Sequence, residues 1–218
     1  MIYNGDIHSL KQPKLYAHEV SMDIAIQVWA AGFYLLNKVF FALAEGKSPS
    51  TKRKLKLWGW AVYILGVPGW VIILAQHHNW IAASVESGGL PSMFLGLYVV
   101  YYSNRQPSRA VTLFTKYCVY VFLFIGLSYS LYDYGGLTSV RQFLEMAAMA
   151  GFLIGSYLLA RNDNRGWLFY MVMNTGMIIL LFIQGKPLLS LQQVVSLSFV
   201  IYGYTVAVRE NRKAESVA

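Results

Sequence analysis

Three residues inside one apolar run carry hydrogen-bonding or aromatic chemistry at helical spacing. Within NRGWLFYMVMNTGMIILLFIQGKP (164–187), Trp167, Tyr170 and Asn174 recur at intervals of three and four. On a helix those intervals form one stripe. An indole, a phenol and an amide on one face make a wall on which a flat ring stacks, with the amide fixing its orientation. The face of such an aromatic also attracts a cation, so the stripe suits a positively charged heteroaromatic ligand. The bland reading is helix packing, with Asn174 bonded to a neighbouring helix.

The stripe has an earlier echo. GWAVYILGVPGW (59–70) repeats GWLFYMVMNTGM (166–177) in register, pairing Gly59 with Gly166, Trp60 with Trp167, Tyr63 with Tyr170 and Gly69 with Gly176. Upstream of each, AGF recurs at 31–33 and 150–152. Trp60 and Tyr63 therefore join the candidate ligand residues, and the four paired glycines are expected to let helices approach closely.

Polar groups in the other apolar runs are sparse. Glu86 lies beside Gly88, Gly89 and Pro91; a carboxylate in a membrane span usually faces a partner or a wet cavity, and the glycines and proline loosen its helix. By the repeat register Glu86 corresponds to Gln193. Gln192 and Gln193 are adjacent on a helix and face about 100° apart, so at most one lines a cavity. Asn37 and Glu145 are further candidates, and Tyr202 is within reach of a cavity, although Tyr202 and Tyr204 also suit an interfacial aromatic belt. Lys38 is expected to snorkel to an interface. His77 and His78 fall at a turn, where solvation is the simpler reading.

These residues must be held by membrane helices. The chain is 56% hydrophobic and 16% aromatic, with only 13% charged residues and a mean hydropathy of +0.45. Soluble domains carry about 25% charged residues. A crossing needs about 20 apolar residues, and seven stretches qualify: 22–44, 57–77, 81–102, 110–132, 139–160, 166–184 and 188–208. The duplicated unit is then three spans, 22–103 and 139–208, with the span at 110–132 as linker between a 1–21 N-terminal segment and a 209–218 tail. One extra span makes both units point the same way. Parallel repeats about an axis normal to the membrane are a transporter architecture, with the site between the halves.

The net charge of +8 fits loops at an anionic membrane face better than a nucleic-acid groove, because basic residues alternate with apolar runs. With the N-terminus outside, twelve of the eighteen Lys and Arg fall on the inner side, four outside and two (Lys38, Lys116) within spans. The positive-inside rule then predicts an extracytoplasmic N-terminus and a cytoplasmic C-terminus. The first twenty residues lack an apolar core, so targeting is expected from the first span. Cys118 is the only cysteine, which excludes an intramolecular disulfide. No P-loop, zinc-protease or serine-hydrolase motif occurs, and the last span has no lysine for a retinal Schiff base. No enzyme activity, cofactor, metal or nucleic-acid partner is expected. A non-transporting receptor or scaffold is the competing class.

At these residues the sequence resembles the PnuC family of bacterial vitamin transporters. That family has a W-x-x-W-x-x-x-N stripe on its sixth helix, here Trp167-x-x-Tyr170-x-x-x-Asn174, and YGY after QQVVSLSFV looks like its seventh. The resemblance covers about 22–208. It implies an all-α, seven-span 3-1-3 bundle in the bacterial inner membrane, similar in architecture to SWEET sugar transporters, and often a homotrimer. It also implies facilitated diffusion, with a cytoplasmic kinase that phosphorylates the vitamin and prevents its return. Nicotinamide riboside carriers have a second Trp where this chain has Tyr170. Thiamine is the expected substrate, since a Glu86 carboxylate complements a thiazolium charge or an aminopyrimidine edge; nicotinamide riboside is the alternative.

Overall fold

The computed structural model describes residues 13–76, 80–102, 107–183, 185 and 187–215. His77, His78 and residues 1–12 lie outside the described residues. Among the described residues all regular structure is helical: α1 Pro13–Ala44, α2 Pro49–Gln76, α3 Trp80–Gly88, α4 Leu90–Tyr101, α5 Arg109–Asp133, α6 Val140–Ala160, α7 Arg165–Ile183 and α8 Pro187–Glu215. Six of these are long and apolar enough to cross a membrane. The protein is an α-helical, multi-pass membrane protein.

The expected third span, 81–102, is two helices. Pro91 has no N–H to continue the ladder, and the amides of Ser92 and Met93 both turn to the Gly89 carbonyl at 3.1 Å. Neither piece spans a hydrocarbon core of about 30 Å alone, since nine residues of α3 reach about 14 Å. The bare backbone at the break admits aromatic rings from other helices. A methyl added at Gly89 would sit 2.6 Å from the Phe152 ring, and one at Gly88 would meet Phe122.

Three helix ends differ from the sequence boundaries, each toward longer helix. α1 begins at Pro13 rather than 22, so residues 13–21 of the N-terminal segment are helical. α2 begins at Pro49 rather than 57, and α8 runs to Glu215 beyond 208. Hydropathy marks the apolar stretch, whereas PSTKRKLK and RENRKAE are charged but strong helix formers, and proline is well tolerated in a first turn.

The distribution of side chains is inverted relative to a soluble protein. Phe124, Phe143 and Phe182 are exposed, while Trp60, Tyr63, Trp167, Tyr170, Asn37, Asn174 and Gln142 are buried. In hydrocarbon the outer face gains nothing by hiding Phe, whereas polar groups must find partners inside.

Helix neighbours fall into two groups along the chain. α1 packs on α2 and α2 on α3 and α4; α6 packs on α7 and α7 on α8. Between these groups α1 meets α8 and α6 meets α4, and α5 lies against α3, α4 and α6.

The α6–α7 turn fixes the register of the Trp167 stripe. Asn162 takes φ 58°, and the amides of Asn162 and Asp163 return to the carbonyls of Leu159 and Leu158 at 3.0 and 2.9 Å. That is a Schellman stop with Asn in the left-handed position. Asp163 then accepts the Arg165 amide at 2.9 Å, and its hydrogen bonds to the Arg165 guanidinium hold the carboxyl below the usual range.

Candidate functional site

The stripe of α7 faces inward. Trp167, Tyr170 and Asn174 are all buried, and α6 approaches them backbone to backbone. A methyl at Gly166 would lie 2.8 Å from the Gly155 carbonyl oxygen, and one at Gly151 would lie 2.6 Å from that of Phe169. This approach brings Ser156 to the Tyr170 hydroxyl, with Oγ to Oη at 3.0 Å.

The two repeat-related tyrosines meet. Tyr170 Oη donates to Tyr63 Oη at 3.2 Å, so the two tyrosines that the sequence register pairs touch, one from α7 and one from α2. The two tryptophans are also seated alike. The Trp167 ring lies on Gly203 of α8, where a methyl would come within 2.7 Å, and Trp60 packs in the same way on Gly96 of α4. Gly96 and Gly203 are themselves paired by the register that pairs Trp60 with Trp167. Trp60 and Tyr63 stack at 6.2 Å and 19°.

Two asparagines are anchored by one end only. Asn37 Nδ2 donates to the Gly59 carbonyl at 3.1 Å, and Asn174 Nδ2 donates to the Tyr170 carbonyl at 2.7 Å. Each Oδ1 is buried without a hydrogen-bond partner, as is the Trp167 Nε1 donor. Buried polar groups are nearly always bonded, and these three atoms leave two acceptors and one donor open inside the bundle.

An acidic and a basic side chain, Glu86 and Lys38, sit on the same centre. Tyr34 Oη donates to Glu86 Oε2 at 2.5 Å, and the Tyr34 ring meets Tyr63 edge-on at 5.0 Å. Lys38 does not snorkel. It is 2% exposed, with Nζ 3.6 Å from the Tyr170 ring centroid and 4.6 Å from that of Tyr63. The stem points into the bundle, toward the aromatic faces and Glu86.

The remaining candidates divide. Gln192 Nε2 reaches the Ala31 carbonyl of α1 at 3.2 Å, joining α8 to α1, and Gln193 is half-buried. Tyr202 is exposed and stands apart from the cluster. That places it on the outer face of α8. Glu145 lies near the α5–α6 turn, 3.5 Å from the Tyr134 hydroxyl.

One end of the bundle holds a cavity of about 700 Å³, lined by residues of the α1–α2 and α6–α7 turns and the end of α8. Its charges are tied across the bundle. Glu45 binds Lys52 at 2.6 Å and Lys56 at 3.1 Å, and Lys52 also binds Glu210 of α8 at 2.7 Å. These turns are the ones that the charge bias assigns to a common side.

A family profile described as "Nicotinamide mononucleotide transporter" matches residues 50–208. The chain belongs to this family, the PnuC family. No curated protein and no solved structure matches it. PnuC membership places the chain in a family of membrane transporters for small vitamin-precursor molecules.

Several residues of the centre escaped sequence reasoning. Tyr34 and Lys38 lie four residues apart on one face of α1, whereas the adjacent Asn37 was already a candidate, and an intramembrane lysine with one nearby carboxylate was a signal in itself. Gly151-x-x-x-Gly155 is the small-residue pattern of close helix contact. Ser156 carried no signal.

Proposed function

We propose that the protein is a facilitative carrier for a cationic heteroaromatic vitamin precursor, working by alternating access between two parallel three-helix units joined by α5. The observation that carries this is the meeting of Tyr63 and Tyr170, repeat-equivalent residues beside buried, unbonded Asn and Trp atoms. The 3-1-3 arrangement is supported further by the matched Trp-on-Gly seats and by the α1–α8 and α6–α4 pairings. Trp167 and Tyr170 stack the ligand ring, and Asn174 and Asn37 orient it. The Lys52–Glu210 pair ties the two units at one mouth and must break for that mouth to open.

Nicotinamide riboside is the preferred ligand. The family description points to nicotinamide chemistry, and Glu86 already accepts the Tyr34 hydroxyl, which weakens the case for a free carboxylate reserved for thiamine. Thiamine is the second reading, favoured by Tyr170 in place of the second Trp. A titration of the purified chain with nicotinamide riboside, thiamine and riboflavin, followed by Trp fluorescence, distinguishes them. Binding of none of the three overturns the carrier reading in favour of a receptor or scaffold.

Uptake into liposomes is expected to equilibrate without a proton or sodium gradient, because carboxylates in the spans are too few for a relay. A cytoplasmic kinase then supplies the sink. Accumulation above the external concentration in kinase-free liposomes would rule out simple facilitation.

For orientation, we propose a bacterial inner-membrane protein with its N-terminus outside. A reporter after Ala218 is expected in the cytoplasm and a tag before Met1 outside. Both on one side would break the odd number of crossings.

A further inference from the structure

We propose that Lys38 is a specificity-determining residue of this site: its ammonium is a resident cation on the Tyr63 and Tyr170 rings, which a cationic ligand ring must displace. The inference rests on the carrier reading above and deepens it.

Lys38 Nζ occupies the position over the rings that a cationic heterocycle would take, 3.6 Å from one centroid and 4.6 Å from the other. It is buried and has no hydrogen-bond partner. An ammonium has three donors, and a buried charge with its donors unmet is not retained for stability, since an apolar residue of similar volume is often as good or better there. The charged or titratable groups facing it are Glu86, Tyr34, Tyr63 and Tyr170, and Glu86 interacts with it electrostatically. The centre therefore holds one acidic group, Glu86, and one basic group, Lys38.

A ligand cation arriving on the same rings brings a second positive charge into a low-dielectric space, where like charges repel strongly. The flexible lysine stem relieves this by swinging away. The exchange leaves Glu86 facing one cation in both the loaded and the unloaded carrier. Such balance is useful to a facilitative carrier, because the unloaded form must also cross between its two openings and an unpaired buried carboxylate is costly. The register of the AGF repeats pairs Lys38 with Tyr157, so the second unit brings no matching lysine. One exchangeable cation suits one bound ligand.

The test compares nicotinamide riboside with its uncharged 1,4-dihydro form, titrated by Trp fluorescence against the full chain and the variants Lys38→Met, Lys38→Gln and Lys38→Arg. Lys38→Met and Lys38→Gln are expected to bind the cation about 5- to 30-fold tighter, the range of one cation–π contact. Their affinity for the uncharged form should stay within about 3-fold, and Lys38→Arg should resemble the parent. Unchanged or weaker cation binding in the Met and Gln variants overturns the proposal. So does a parent preference for the cation over the uncharged form above about 30-fold, a readout that does not depend on any variant folding. If the parent and all variants bind neither riboside nor thiamine, the carrier reading falls and this proposal with it. Binding by the parent with either of the other failures removes the lysine role alone.

Discussion

Trp167→Ala raises the dissociation constant for nicotinamide riboside by about 5- to 150-fold per folded molecule, if the α7 stripe is the ligand wall. Loss of one aromatic platform under a flat base costs about 1–3 kcal/mol, and about 1.4 kcal/mol is tenfold. The structure adds a complication that spacing did not reveal. Trp167 is buried and seated on Gly203, so truncation also leaves a cavity, at about 3–5 kcal/mol for a large aromatic. Affinity must therefore be measured on the folded fraction, with thermal stability alongside. Asn174→Leu is expected to do less, about 0.5–1.5 kcal/mol for one neutral hydrogen bond. Tyr170→Trp rebuilds the family stripe and should shift preference from thiamine toward nicotinamide riboside. If Trp167 only packs helices, stability falls and affinity per folded molecule does not move. That result in all three variants would send the site to another face.

The largest effect on folding is expected at Gly151. A methyl there would meet backbone on the facing helix, 2.6 Å from the Phe169 carbonyl oxygen and 2.8 Å from the Met173 nitrogen. Backbone cannot swing aside as a side chain does, so α6 and α7 must separate. Overpacking of this kind costs about 1–3 kcal/mol and sometimes more. Separation would also pull Ser156 from the Tyr170 hydroxyl. Gly32→Ala is the control, because nothing lies within 4 Å of its added methyl. Surface changes of that sort stay within about 0.5 kcal/mol. Thermal unfolding in detergent should show Gly151→Ala well below the parent and Gly32→Ala close to it. Equal melting of the two variants would mean that the α6–α7 contact is not a limiting one.

The two experiments probe one arrangement at different levels. Gly151 and Gly155 set how near α6 comes to α7, and that distance decides whether Ser156 reaches Tyr170. Tyr170 in turn reaches Tyr63 of the other unit. A defect at the glycines should therefore appear first in stability and then in binding, whereas a defect at Trp167 should appear in both together.

Much of the candidate site was legible in the order of residues. Trp167, Tyr170 and Asn174 share a face because a helix repeats every 3.6 residues, and their burial follows. The pairing of Trp60 with Trp167 and of Tyr63 with Tyr170 was visible as repetition, and its consequence is a contact between equivalent hydroxyls. The number of apolar stretches, the scarcity of charge and the bias of Lys and Arg are likewise local properties. Each depends on one segment and the solvent it prefers.

Where each polar side chain ends up is decided otherwise. Hydropathy cannot separate the face of a membrane helix that meets lipid from the one that meets protein, since both surroundings are apolar. Lys38 read as an interfacial lysine for that reason, and Tyr202 as a possible cavity residue. Only the packing of α1 against α2 and α8, and of α8 against α7, carries Lys38 onto the rings of Tyr63 and Tyr170. The same packing delivers the Tyr34 hydroxyl to Glu86 and leaves Tyr202 on the outside. These contacts join residues distant in the chain, and their cost or gain exists only once three helices share an interior without water.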